Sequence, residues 1–199
     1  MITIKFSDNI KYLYKSFEEL LKIDIYNDII YINCNNNNLL NLPELPNSLK
    51  ILDCHSNNNL SSLPELPNSL IELYCWNNNL SSLPKLPNSL KYLDCGNNSL
   101  SSLPELPNSL KRLYCSNNNL SSLPELPNSK IDICYKYNPI HTYIKKYFND
   151  KHQQYFDYQR QMKRIFANKI GNWYLDCKYN PKYLYRRKRL MEEYDDLYN

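Results

Sequence analysis

LPELPNSLIELYCWNNNLSS, residues Leu63–Ser82, is followed at once by two near-copies, LPKLPNSLKYLDCGNNSLSS over Leu83–Ser102 and LPELPNSLKRLYCSNNNLSS over Leu103–Ser122. Leu42–Ser62 is the same phrase with one residue added. A short fixed period means a fold built by stacking like units. The inner pattern, L-x-x-L-x-C-x-x-N-x-L, is filled by Leu70, Leu73, Cys75, Asn78 and Leu80, and again by Leu90, Leu93, Cys95, Asn98 and Leu100 and by Leu110, Leu113, Cys115, Asn118 and Leu120. Leu73 and Cys75 are two apart, so they share one face of a short strand, while Glu72, Tyr74 and Trp76 share the other. The asparagine after the strand bonds backbone groups at a turn. One such unit cannot bury its own leucines, but stacked on neighbours in a parallel sheet it can.

Working outward, Ile29, Ile32, Cys34, Asn37 and Leu39 make a first unit, and Leu49, Leu52, Cys54 and Leu60 a second. The added residue of that second unit lies within His55–Asn59, so either Asn57 or Asn58 holds the asparagine position. A sixth unit keeps the period only if Lys130, Ile133, Tyr135, Asn138 and Ile140 take the inner positions. Tyr135 then replaces the core cysteine and Cys134 turns outward. The paired prolines of each return segment, such as Pro64 and Pro67, cannot serve a helix interior, so the convex side is expected to be extended or polyproline-like.

These motifs resemble the leucine-rich repeat family, over about residues 29–142. The LPELP phrase is similar to the bacterial-type subclass with an LPxLP return segment. Cysteine stands where that family usually has valine or leucine. The Cys-bearing, Asn-rich repeats, and the segment NWYLDCKYNPKYLYRRKRL near the C-terminus, also look like uncharacterised proteins of amoeba-infecting giant DNA viruses. The resemblance implies an α/β solenoid with a parallel sheet on its concave face and a non-enzymatic, protein-binding role. Some bacterial LPxLP proteins carry a ubiquitin ligase with a catalytic cysteine in a CxD motif. Here Cys177 is followed by Lys178 and Tyr179, so that motif is missing.

Outside the repeats, Ile10, Leu13, Phe17, Leu20 and Leu21 step by three and four, which predicts a helical cap within residues 1–28, started at Ser7 or Asp8. Residues 143–199 are expected to be helical. Tyr143, Ile144, Tyr147 and Phe148 line one face, helical spacing continues from Tyr155 to Cys177, and Asn180–Pro181 marks a restart. These helices are expected to shield the last repeat.

The 199 residues carry a net charge of +4. Residues 1–141 hold 11 Lys/Arg against 13 Asp/Glu, and residues 142–199 hold 13 against 7, so the repeats are near neutral and the tail is basic. No apolar run has the ~18 residues of a membrane span, and the first twenty residues have no signal-peptide centre. Of seven cysteines, Cys34, Cys54, Cys75, Cys95 and Cys115 form one core column of small hydrophobes. Reduced thiols there imply an intracellular setting. No cysteine or histidine spacing suits zinc, and there is no phosphate loop or nucleophile elbow, so no cofactor, metal or small-molecule substrate is expected.

The outward strand positions form three columns: Tyr31, Ile51, Glu72, Tyr92, Arg112 and Asp132; Asn33, Asp53, Tyr74, Asp94, Tyr114 and Cys134; Asn35, His55, Trp76, Gly96, Ser116 and Lys136. Tyr, Trp and Arg dominate binding hot spots. The candidate partner-binding residues are therefore Tyr31, Asp53, His55, Glu72, Tyr74, Trp76, Tyr92, Asp94, Arg112 and Tyr114. Cys54 and His55 point to opposite faces and cannot form a dyad. The run Arg186, Arg187, Lys188 and Arg189 is the alternative, a nucleic-acid contact through the C-terminal helices; Glu192 and Glu193 beyond it suit an ordinary solvated helix face.

Overall fold

The structure, a computed structural model, describes residues 1–127, 131–149 and 151–179. Residues 1–151 form one compact unit, and the helix beginning at His152 belongs to a second.

Within the first unit, the described residues contain an eight-stranded sheet. Its six parallel strands are the repeats: β3 (Tyr31–Asn33), β4 (Ile51–Asp53), β5 (Glu72–Tyr74), β6 (Tyr92–Asp94), β7 (Arg112–Tyr114) and β8 (Asp132–Cys134). Ile32, Leu52, Leu73, Leu93, Leu113 and Ile133 pair in register across it. A one-residue slip would turn this leucine row into water, so the register is strongly held. Cys34, Cys54, Cys75, Cys95 and Cys115 are fully buried, with Tyr135 taking the sixth place in their column. No helix interrupts the chain between β3 and β8 among the described residues. On the return side, Pro-x-x-Leu turns carry the chain round, as where Leu70 N–H donates to Pro67 C=O at 3.0 Å.

Two side-chain ladders tie the turns together. The first is the asparagine ladder. Asn98 Nδ2 donates to the carbonyls of Cys75 (3.0 Å) and Cys95 (3.1 Å), and its Oδ1 accepts from Leu80 N–H at 3.0 Å. Asn57, not Asn58, holds this position in the second unit, donating to Cys34 and Cys54 carbonyls. The residue added to that unit therefore follows the ladder, and Leu60 N–H turns instead to Asn57 C=O. The second ladder is serine: Ser69, Ser89 and Ser109 donate to the carbonyls of Leu49 (2.6 Å), Leu70 (2.5 Å) and Leu90 (2.6 Å). Ser89→Ala is expected to cost about 1 kcal/mol, an ordinary hydrogen bond, read as a lowered urea midpoint; an unchanged midpoint would show the serine ladder to be energetically idle.

The N-terminus differs from the helical cap its spacing suggests. Ile2–Lys5 is β1 and Lys11–Tyr14 is β2, an antiparallel hairpin that adds β1 to β3 with Ile4 opposite Ile32. Ile2 and Ile4 alternate into the core, whereas Ile10, Leu13 and Leu21 are exposed. The physical reason is the open edge of β3: its unpaired backbone groups need a strand, which a helix cannot supply. Helical structure is confined to one turn, α1 (Phe17–Leu20), and a 3-10 turn at Tyr26–Asp28. Ser16, not Ser7 or Asp8, caps α1; Glu19 N–H reaches its Oγ while the Glu19 carboxylate accepts from Lys15 N–H.

At the other end, α2 (Pro139–Phe148) starts directly from the last ladder residue, Asn138. Its buried residues are Ile140 and Ile144, while Tyr143 and Tyr147 are exposed and meet at 4.8 Å with their rings tilted by 45°. The inward face is therefore set by the repeat's own Ile140 and by Ile144 one turn on, rather than by the tyrosines. In the second unit, α3 (His152–Tyr179) runs unbroken through Gly171. No helix among the described residues is long and apolar enough to cross a membrane. The restart at Asn180–Pro181, Lys130, and the basic run Arg186–Arg189 lie outside the described residues.

Candidate functional site

The outward positions of β3–β8 form one surface because each strand side chain that points away from the leucines has an in-register neighbour on the next strand. Its first cluster joins three turns. Asp53 Oδ1 and His55 Nδ1 are 2.5 Å apart, so the imidazole donates from Nδ1 to the carboxylate. His55 lies flat against Trp76, with ring centroids 4.2 Å apart and planes 9° from parallel. Asn33 Nδ2 donates to Asp53 Oδ2 at 3.2 Å and to Tyr31 Oη at 3.3 Å. Lys5, from the unforeseen hairpin, sets its ammonium 5.0 Å from the Tyr31 ring centre.

The second cluster is tyrosine. Tyr74 and Tyr92 are 4.8 Å apart and Tyr92 meets Tyr114 edge-on at 5.6 Å. The Tyr74 hydroxyl donates to Glu72 Oε2 (2.9 Å) and the Tyr114 hydroxyl to Asp132 Oδ2 (2.8 Å). Burial, then the Glu72 hydrogen bond, pushes the Tyr74 phenol well above its ordinary range; for Tyr114 the bond to Asp132 is the first cause. Both phenols are thus held as neutral donors, and the ring faces are left for apolar contact. Arg112 is exposed beside Asp132 in the first column.

Between the clusters lies Asp94. Burial raises its carboxyl above the usual range, opposed by a hydrogen bond from Gly96 N–H at 3.2 Å. Gly96 leaves the third column without a side chain at that turn. Cys54 is fully buried while His55 stands on the outer surface, so the two do not meet. Cys134 is partly exposed and accepts from Ser116 Oγ at 3.1 Å. Among the described residues no group of His, Cys, Asp and Glu is arranged to hold a metal ion.

The structure thus brings nine of the ten candidate residues into two adjoining clusters and the Asp94 site between them, with Arg112 at the rim. The spacing of the chain did not disclose Lys5 or the His55–Trp76 stack. A second missed feature is the residue just after the third column, asparagine in four of the six units. Asn77, Asn97 and Asn117 hold φ of 56°, 50° and 52°, the left-handed turn that ends each strand and aims its third-column side chain. Asparagine tolerates that region better than other non-glycine residues; Asn36, Ser56 and Tyr137 take it in the other three units, at φ of 54°, 55° and 58°.

Comparison with known proteins agrees with this geometry. The family described as leucine-rich repeats (two copies) matches residues 69–108. A search of curated proteins found no match. Among solved structures, the chain is similar to YopM from Yersinia enterocolitica WA-314, with 43% identity and a TM-score of 0.53 over 55% of this chain and 25% of that one. It is also similar to a Shigella effector LRR domain, with 37% identity and a TM-score of 0.57 over 61% of this chain and 55% of that one. The chain therefore spans a quarter and about half of those proteins' own lengths. Repeat period, parallel register, asparagine ladder and structural likeness converge on one description: the repeat region is a parallel-sheet solenoid with the fold of leucine-rich repeats, whose family model matches residues 69–108.

Proposed function

We propose that the chain is a non-enzymatic binding module that captures a protein partner on the concave face of its repeat sheet, around Tyr74, Trp76, Tyr92, Arg112 and Tyr114. The observation that carries this is the row of contacting rings, His55 on Trp76 and Tyr74 on Tyr92 on Tyr114, set on the face opposite the leucines. These rings contribute little to the core, yet they form a rigid, part-exposed surface of the residue types that anchor interfaces. Tyr31, Asp53, Glu72 and Asp94 supply polar groups among and beside the rings. The likeness to a Shigella effector LRR domain supports an interaction role. Five buried reduced thiols support a reducing, intracellular site of action.

The test compares the full chain with Trp76→Ala and Tyr92→Ala. Both variants are expected to keep their unfolding temperature within a few degrees, because surface truncations change stability little. Both should lose the specifically retained partner from host lysate, with roughly thirtyfold weaker binding for loss of ~2 kcal/mol. Capture unchanged in both folded variants would move the site off this face. In that case neutralising Arg186, Arg187, Lys188 and Arg189 becomes the decisive variant, and salt-sensitive nucleic-acid binding the expected signature.

A further inference from the structure

The hairpin at the N-terminal end of the sheet builds a second surface, on the side away from the concave columns. Tyr14 pairs with Ile2 and Tyr12 with Ile4. Directly opposed residues share a face, so both tyrosines take the side on which Ile2 and Ile4 are buried. Lys5 and Lys11, the next pair, take the other side. Because β2 is the edge strand, its tyrosines are not packed away, and Tyr12 stays 37% exposed.

A cavity of about 600 Å³ lies on that side, within the size range of ligand sites. Phe6, Tyr12 and Tyr14 line it together with Ile23 and Ile25. Asp8 and Asp28 add two carboxylates, and the lining holds no Lys, Arg or His. Phe6 and Tyr12 meet edge-on, centroids 5.4 Å apart and planes at 69°, so their rings form a corner. Turns hold both acidic walls in place. Asp8 Oδ1 accepts from Ile10 N–H at 2.9 Å, and its Oδ2 accepts from the Tyr12 hydroxyl at 3.4 Å. On the other wall, Asp28 N–H donates to Ile25 C=O at 3.0 Å, and Ser48 Oγ donates to the carbonyls of Asn27 and Ile29 on either side of Asp28. The Asp28 carboxylate itself has no hydrogen bond or ion pair among the described residues.

Aromatic rings attract a cation through their negative faces, and carboxylates attract it through their charge. A corner of two rings encloses a compact ammonium from two sides, whereas a planar guanidinium stacks on one face at a time. Ile23 and Ile25 suit the apolar stem of a lysine, which packs on apolar surface while its head stays polar. We propose that this cavity docks a lysine side chain of a protein partner, with the stem against the isoleucines and the ammonium at the Phe6–Tyr12 corner and the Asp8 and Asp28 carboxylates. The site is separate from the concave face and independent of the partner proposed there.

The experiment titrates the full, isotope-labelled chain with acetyl-Gly-Lys-Gly-amide to roughly 20 mM, a range that detects millimolar affinity. The Ile10 and Asp28 amide resonances report, and saturable shifts at both are expected. The acetyl-lysine peptide, which keeps the stem and loses the charge, should bind at least about tenfold more weakly, and the arginine peptide severalfold more weakly. Tyr12→Leu keeps an apolar side chain without the ring, and Asp28→Asn keeps the shape without the charge. Each should weaken binding about threefold, and the double variant about tenfold. If Tyr12→Leu loosens the hairpin, Asp28→Asn alone decides, since Asp28 is exposed and its carboxylate holds nothing in the fold. Trp76→Ala, on the other face, should bind the peptide as the unaltered chain does. No saturable shift with the lysine peptide, an equal response to the acetyl-lysine or arginine peptide, or undiminished binding by folded Asp28→Asn overturns the proposal. So does loss of the shifts in Trp76→Ala, which would put the peptide on the concave face.

Discussion

Asn118→Ala should lose about 4 kcal/mol of folding stability, whereas Asn119→Ala, the next residue, should lose almost none. Asn118 is buried. Its Nδ2 donates to Cys95 (3.0 Å), Cys115 (3.2 Å) and Ser116 (3.3 Å) carbonyls, and its Oδ1 accepts from Leu100 N–H at 3.0 Å. The carbonyls have second donors: Asn98 also serves Cys95, Asn138 also serves Cys115, and Asn97 N–H serves Ser116. Leu100 N–H has the Asn118 oxygen as its partner, so it becomes a buried orphan at ~1–3 kcal/mol, with ~1 kcal/mol more for each weakened carbonyl. Asn119 is exposed. Asn117 is a third case: with φ of 52°, alanine there should cost about 1 kcal/mol of left-handed strain and glycine none. Urea unfolding of the four variants decides this, and equal losses at positions 118 and 119 would refute the ladder's energetic role.

Raising the pH from 8 to about 10 should unfold the solenoid cooperatively. Burial pushes the Cys34 and Cys115 thiols up to about 12. It pushes Cys54, Cys75 and Cys95 well above the ordinary thiol range as well. Unfolded thiols ionise near ~8.5. Below that value both states keep their protons and the stability is fully present. Above it the unfolded chain sheds protons that the folded chain retains, so stability falls as pH rises. Each thiol contributes a slope of about 1.4 kcal/mol per pH unit and five together ~7, against a typical total of ~5–15 kcal/mol. Tyr26, raised by burial to about 12, adds to the loss only at still higher pH. The unfolding temperature followed by circular dichroism from pH 7 to 10 checks this, with Cys95→Ala expected to reduce the alkaline slope by roughly one fifth. A flat profile to pH 10 would mean that the cysteine column does not hold its protons as described.

Much of this molecule was legible without coordinates. The 20-residue period, the leucine and cysteine columns, the asparagine ladder and the strand register all follow from alternation along a short strand, because any slip exposes the core. The same logic fixed the sixth unit, with Tyr135 inward and Cys134 outward, and it listed the outward columns that the observed pairing reproduces. Tertiary structure decided the rest. Residues 10–21 have helical spacing, but the open edge of β3 recruits the N-terminus as strands, a requirement set by residues some twenty positions away. The face that α2 buries was likewise chosen by the end of the stack, which takes Ile140 and Ile144 and leaves the tyrosines outside. The stacking of His55 on Trp76 depends on left-handed turns that lay the rings side by side. Phe6, Tyr12, Tyr14 and Asp28 share no period along the chain; only the hairpin, by setting Tyr12 opposite Ile4, gathers them around one cavity.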